Sequence, residues 1–174
     1  MKVVDCEIME AETFETTSED ETAALGKAFA QRLHKGDTVA LLGDLGSGKT
    51  EFVKGICRHF NVEDIVTSPT FTVINQYQGE TIHDTAIKIY HVDLYRIDSV
   101  EDLSEIGFDE CAHSSDAIKL IEWAEKASGA LPADTYSVKF SMPDEDENLR
   151  LIEIRHGDAD RQDSASTLFI SGRD

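Results

Sequence analysis

The chain predicts an α/β fold, a mostly parallel sheet covered by helices with antiparallel strands added, and three observations carry that expectation. An apolar run, Thr38 to Leu42, leads through a glycine-rich turn into a helical pattern with Phe52, Val53, Ile56 and Phe60 on one side. Ala117-Ile118-Lys119-Leu120-Ile121-Glu122-Trp123 is a second strand of the buried type that parallel sheets use. Tyr136 to Ser141 and Leu149 to Ile154 alternate apolar and polar, which is the pattern of an antiparallel hairpin. At 174 residues the chain suits one domain, placed at residues 1–156.

Taken in order, residues 3–14 alternate loosely and predict a strand ending near Phe14. Ser18-Glu19-Asp20-Glu21 has the capping-box pattern, serine with glutamate three residues on. The helix it opens is expected to reach about His34, with Ala24, Leu25, Ala28, Phe29 and Leu33 on its apolar face. Gly36-Asp37 turns the chain into the strand at 38–42. Beyond the helix at 51–60, Pro69 forces Ser68 into extended geometry. A strand rich in β-branched residues follows to Tyr77, closed by Gln78-Gly79-Glu80. Ile87 to Tyr95 is its expected hairpin partner. Ser99 caps a short helix, and Phe108 to Cys111 makes a further short turn. Gly129 and Pro132 break the chain before the last hairpin, whose turn spans 142–148 and is acidic at 144–147. Residues 157–174 are polar and weakly patterned. They predict a mobile tail, in which Leu168-Phe169-Ile170 could add an edge strand.

Composition narrows the partners. Apolar residues make up 40 %, and no run approaches the roughly 20 apolar residues of a membrane span. The start, Met1-Lys2-Val3-Val4-Asp5-Cys6-Glu7, lacks the apolar stretch of a secretion signal, so a cytoplasmic location is expected. Cys6, Cys57 and Cys111 are an odd number without a close pair, which suits neither a disulfide framework nor a zinc site. The net charge of −19 disfavours a direct, strong grip on nucleic acid, since that relies on Lys and Arg neutralising phosphates. General solubility in an acidic, salt-adapted proteome would give the same surface.

The chemistry lies in Gly43-Asp44-Leu45-Gly46-Ser47-Gly48-Lys49-Thr50, a complete phosphate-binding loop between strand and helix. Such a loop aims backbone N–H groups and a helix N-terminus at phosphate oxygens. Lys49 would reach the terminal phosphates and the Thr50 hydroxyl would ligate Mg²⁺. Strand, loop and helix together predict a three-layer fold like that of the P-loop nucleotide hydrolases. A second acid on the magnesium side is expected at a neighbouring strand end, where Glu122 stands; a solvent-facing acid is its plain alternative. His91, Asp93 and Tyr95 would share one strand face. Asp93 could orient the attacking water, pair with His91 on a metal, or sit in a hydrogen-bonded sheet edge. Ser68-Pro69-Thr70 reads as a switch loop sensing the γ-phosphate, or as a simple turn.

The phosphate loop, Ser68-Pro69-Thr70-Phe71, His91-Val92-Asp93-Leu94-Tyr95-Arg96 and Ile121-Glu122-Trp123, in that order and spacing, resemble the TsaE (YjeE) family over about residues 10–155. These are small bacterial P-loop ATPases needed to make threonylcarbamoyladenosine in tRNA. The resemblance implies ATP as substrate, Mg²⁺ held by Thr50 and Glu122, and Asp93 needed for hydrolysis, to which the loop chemistry itself adds Lys49. It also implies Trp123 beside the nucleotide and Arg150 near a nucleotide-contacting arginine. The implied partner is the TsaB–TsaD heterodimer, on which hydrolysis supports repeated turnover. The chain departs from the pattern at Ala124, where the family has proline, and in its acidic 144–147 turn and its tail. Two rivals stay open. A small P-loop kinase would need an arginine-bearing lid, and the arginines here are scattered from Arg32 to Arg173. A non-catalytic nucleotide-sensing subunit would bind ATP without turnover.

Overall fold

The structure, a computed structural model, describes residues 11–157 apart from Glu145 and Glu147. Its strands are β1 (Glu12–Thr16), β2 (Thr38–Leu42), β3 (Ile74–Glu80), β4 (Ala86–Asp93), β5 (Ala117–Glu122), β6 (Tyr136–Ser141) and β7 (Arg150–His156). The helices are α1 (Glu19–Phe29), α2 (Lys49–His59), α3 (Val100–Glu105) and α4 (Phe108–Ala112). One sheet runs in the order β1-β7-β6-β2-β5-β4-β3. Its centre, β6-β2-β5-β4, is parallel, with β7 and β1 antiparallel on one side and β3 on the other.

Alternation along the central strands builds the three layers. Val39, Leu41, Ile118 and Leu120 face α1 and α2, where Phe52 packs at 5.5 Å from the Phe29 ring and 5.7 Å from Phe140. Ala40, Val92 and Ile121 face the opposite way, toward Leu103, Phe108, Ala124 and Ala127. All six residues of β5 are buried, which is why its sequence shows no alternation. Lys119 within it is satisfied by the carbonyls of Gly36 and Ser114, at 2.5 and 2.7 Å.

The first helix differs from the expected one. It ends at Phe29 and tightens into a 3-10 turn over Ala30–Arg32 rather than running to His34. Its buried face is Thr22, Ala23, Gly26 and Phe29, and Ala24 and Ala28 are exposed. The reason is a close crossing of α1 and α2. A Cβ on Gly26 would stand 2.2 Å from the Phe52 carbonyl oxygen, and one on Gly55 1.9 Å from that of Ala23. Phe29 and Leu33 are buried as expected and Leu25 packs against the core, but the contact with α2 is made by small residues that apolar periodicity does not mark. The cap at Ser18 accepts the Glu21 N–H at 3.2 Å, but the Glu21 carboxylate reaches back to Thr17 instead of closing the box on Ser18.

Further expectations shift. After Ser68-Pro69-Thr70 the chain turns through Thr72, Val73 takes a φ of 65°, and β3 begins only at Ile74. Gln78-Gly79-Glu80, expected as the closing turn, is paired strand. Gly79 is there because a Cβ would meet the Phe60 carbonyl oxygen at 2.5 Å. Tyr95 lies beyond the end of β4, so it does not continue the face of His91 and Asp93. Phe108–Ala112 is a helix rather than a turn. The strand expected at 3–14 appears as Glu12–Thr16, its residues 3–10 lying outside the described residues. The tail at 158–174, with Leu168-Phe169-Ile170, also lies outside them.

Candidate functional site

The parallel strands β2, β5 and β4 end side by side, and the residues at or just past their ends meet in one cleft of about 320 Å³. Past β2 the loop from Gly43 turns under left-handed glycines into α2. At Gly43, φ is 140° and a Cβ would press on the Phe140 carbonyl oxygen at 2.7 Å, so only glycine fits. Gly48, at φ 105°, is the N-cap of α2, with no side-chain hydrogen bond to its first turn. The Ser47 hydroxyl is buried without a partner. This helix N-terminus faces the cleft, the backbone arrangement that suits an anion.

Lys49 is 4 % exposed, and its Nζ donates to the carbonyls of Gly43 and Asp44 at 2.6 and 2.8 Å. Burial holds its ammonium below the usual lysine range, against the opposing pull of Glu122, Glu125, Asp93 and Asp44. The Trp123 ring lies over this same ammonium at 4.3 Å. Trp123 itself has a left-handed backbone, φ 58°, which turns the chain directly after Glu122.

Glu122 and Asp93 are register partners on β5 and β4. Glu122 Oε1 accepts from the Thr50 hydroxyl at 2.9 Å and lies 2.8 Å from His91 Nε2. Asp93 has separate partners. Its Oδ2 accepts from Ser68 at 2.5 Å and Thr70 at 2.9 Å, and its Oδ1 from the Tyr95 N–H at 2.9 Å. Arg150, at the start of β7, flanks Gly48. Its Nη1 donates to the Asn148 carbonyl, and its Nε is buried without a partner.

Matching to known families decides what this assembly belongs to. The family model described as "Threonylcarbamoyl adenosine biosynthesis protein TsaE" matches residues 16–152. The chain belongs to the TsaE family. Among relatives, the tRNA threonylcarbamoyladenosine biosynthesis protein TsaE of Rickettsia bellii is 41% identical over 133 residues, 76% of this chain and 88% of that protein. The TsaE proteins of Treponema pallidum and Bacillus subtilis are 36% and 35% identical, covering 72% and 76% of this chain and 87% and 78% of theirs. The crystal structure of Bacillus subtilis YdiB superposes with a TM-score of 0.68 at 28% identity, over 91% of this chain and 93% of that one.

Within this TsaE chain the cleft gathers Leu45, Gly46, Ser47, Gly48, Lys49, Thr50, Asp93, Glu122, Trp123 and Arg150. Gly43 and Asp44 stand behind the cleft, where their carbonyls hold Lys49. A pairing of His91 with Asp93 on a metal does not form, because His91 turns to Glu122 and Asp93 to the Ser68–Thr70 loop. Among the described residues no group of three or more His, Cys, Asp or Glu is placed to hold a metal by itself. A hydroxyl beside a carboxylate is nonetheless the hard oxygen donor set that suits Mg²⁺, which takes few protein ligands and keeps waters or phosphate oxygens. Tyr95, Glu19 and Glu51 also line the cleft, and sequence reasoning missed the two glutamates as cleft residues. Glu19 belongs to the first turn of α1, and its acidic capping pattern was the one available signal. No helix of the described residues is long and apolar enough to cross a membrane.

Proposed function

We propose that this chain is the Mg²⁺-dependent ATP-hydrolysing subunit of tRNA threonylcarbamoyladenosine formation, acting through a TsaB–TsaD complex. The observation that carries the reading is the convergence at the strand ends. A buried lysine under a phosphate loop lies beside a Thr50–Glu122 oxygen pair, and a second carboxylate, Asp93, ends the adjacent strand. The loop N–H groups and Lys49 bind the triphosphate, drawing the ammonium away from the Gly43 and Asp44 carbonyls. The unpaired Arg150 Nε and the Ser47 hydroxyl are further donors for an anionic ligand. Thr50 and Glu122 hold Mg²⁺, which when bound offsets charge on the phosphates. Asp93 orients the attacking water.

Asp93 accepts three hydrogen bonds, two of them from the Ser68–Thr70 loop. A partner that moves this loop would free Asp93 Oδ2 to orient water, a route by which docking can stimulate hydrolysis. The test is phosphate release from ATP by the chain alone and with TsaB–TsaD added, with modified tRNA counted in parallel. The expected result is slow release alone, faster release with the complex, and several modified tRNAs per complex. Phosphate found on an added metabolite would instead support the kinase reading, and binding without release under every condition would support a nucleotide sensor.

A further inference from the structure

We propose that His91 is the positioning residue that aims the Glu122 carboxylate, an inference that rests on the magnesium site proposed above. His91 is fully buried on β4, two residues before the register partner of Glu122. Its Nε2 lies 2.8 Å from Glu122 Oε1, the oxygen that also accepts the Thr50 hydroxyl at 2.9 Å. A carboxylate oxygen only accepts, so Nε2 carries the hydrogen between them, whatever the state of Nδ1. That Nδ1 is buried with no partner, an arrangement that costs stability. Neighbouring positions on β4 facing the cores, Ile89 and Val92, are apolar, as a site chosen for packing alone would be. What the imidazole adds over an apolar side chain is the bond to Glu122.

The physical need is clear from the chain. Glu122 ends β5, and Trp123 turns away at once in a left-handed conformation. A glutamate there has rotamer freedom, and two donors converging on one oxygen from two different elements, β4 and α2, remove it. Glu122 and Thr50 are thereby presented to the cation as a preformed pair. Groups that orient a metal ligand in this way are worth about 10- to 100-fold in metal affinity.

The experiment compares His91→Phe, which keeps a ring in the space and removes the donor, with His91→Gln, which retains an N–H. ATP affinity is measured by calorimetry in EDTA and across a Mg²⁺ series, with thermal unfolding alongside. H91F is expected to bind ATP in EDTA within a few-fold of wild type and to need about 10- to 100-fold more Mg²⁺ for its tight state, with H91Q largely restored. His91→Leu carries the same comparison where the phenyl ring does not fold. A donorless variant with the wild-type Mg²⁺ dependence overturns the proposal. So does one that loses ATP affinity equally with and without Mg²⁺ and is not restored by H91Q, since His91 would then serve the fold alone. A wild-type chain whose ATP affinity ignores Mg²⁺ overturns the magnesium reading itself, which is a different result from either.

Discussion

Asp93 and Glu122 end adjacent strands as register partners, yet their hydrogen bonds differ, which is the ground for proposing different tasks for them. Glu122 shares an oxygen with the phosphate-loop threonine, whereas Asp93 faces the Ser68–Thr70 loop. Asp93→Ala is therefore expected to lose most turnover while ATP affinity stays within a few-fold, because a water-orienting group acts mainly in the transition state. Glu122→Ala should instead raise the Mg²⁺ requirement. Asp93→Ala that hydrolyses normally and only unfolds more easily would reduce Asp93 to a sheet-edge residue. The buried thiols give a second prediction. Burial pushes Cys57 from 9.0 up to about 12 and Cys111 up to about 11. The folded state thus favours the neutral thiol, and its contribution is complete below pH 9 and fades as pH rises toward 11–12. In a Cys6→Ser background, a thiol reagent at pH 8 should label nothing until denaturant is added. Rapid labelling of the native chain would contradict the burial of both. Lys49, Thr50 and Glu122 were legible because loop spacing and strand ends are local in sequence. The His91–Glu122 bond and the presence of Glu19 in the cleft were not, since both depend on which elements become neighbours.

The crossing of α1 and α2 is the element on which the cleft's geometry turns. Helix α2 carries Lys49 and Thr50 in its first turn, and α1 carries Glu19 into the cleft wall, so their contact sets how the phosphate loop faces the strand ends. Glycines 26 and 55 let backbone meet backbone there, and a methyl group would have to push carbonyl oxygens aside. Gly55→Ala is expected to cost about 1–3 kcal/mol in urea unfolding. Gly129→Ala, with nothing within 4 Å of the added carbon, should change little. Equal stability of the two variants would contradict the close crossing. Sequence periodicity found α1 and α2 themselves and set Leu25, Phe29 and Leu33 against the core, but it wrongly added Ala24 and Ala28 in place of Ala23 and Gly26. It counted apolar residues, and the contact is made by small ones such as Ala23 and Gly26. It also misread Gly79 as a turn for the same reason, since a glycine that admits a neighbouring backbone looks like one that bends the chain.

Across the whole molecule, the arrangement of strand, loop and helix made the parallel centre legible, and alternation made the β6–β7 hairpin legible. The order of the strands was not, because pairing at a distance leaves no local mark. The net charge of −19 bears on how the chain meets its proposed partner. A TsaB–TsaD complex that holds RNA needs a basic surface, and an acidic chain is drawn to the same field. Exposed charges more than about 10 Å apart are largely screened at 0.1 M salt, so the effect belongs to the association rate rather than to stability. Stopped-flow association is expected to slow steeply from low to physiological ionic strength and to be blocked by saturating tRNA. A flat salt dependence with simultaneous tRNA binding would reduce the acidity to a solubility trait. The central claim, that the cleft hydrolyses ATP through its phosphate loop, is tested most directly by phosphate release with Mg²⁺ and TsaB–TsaD present, wild type beside Lys49→Ala. The account predicts release by the wild type and at least about 100-fold less by the variant, with weakened ATP binding. Equal release by the two proteins would contradict it.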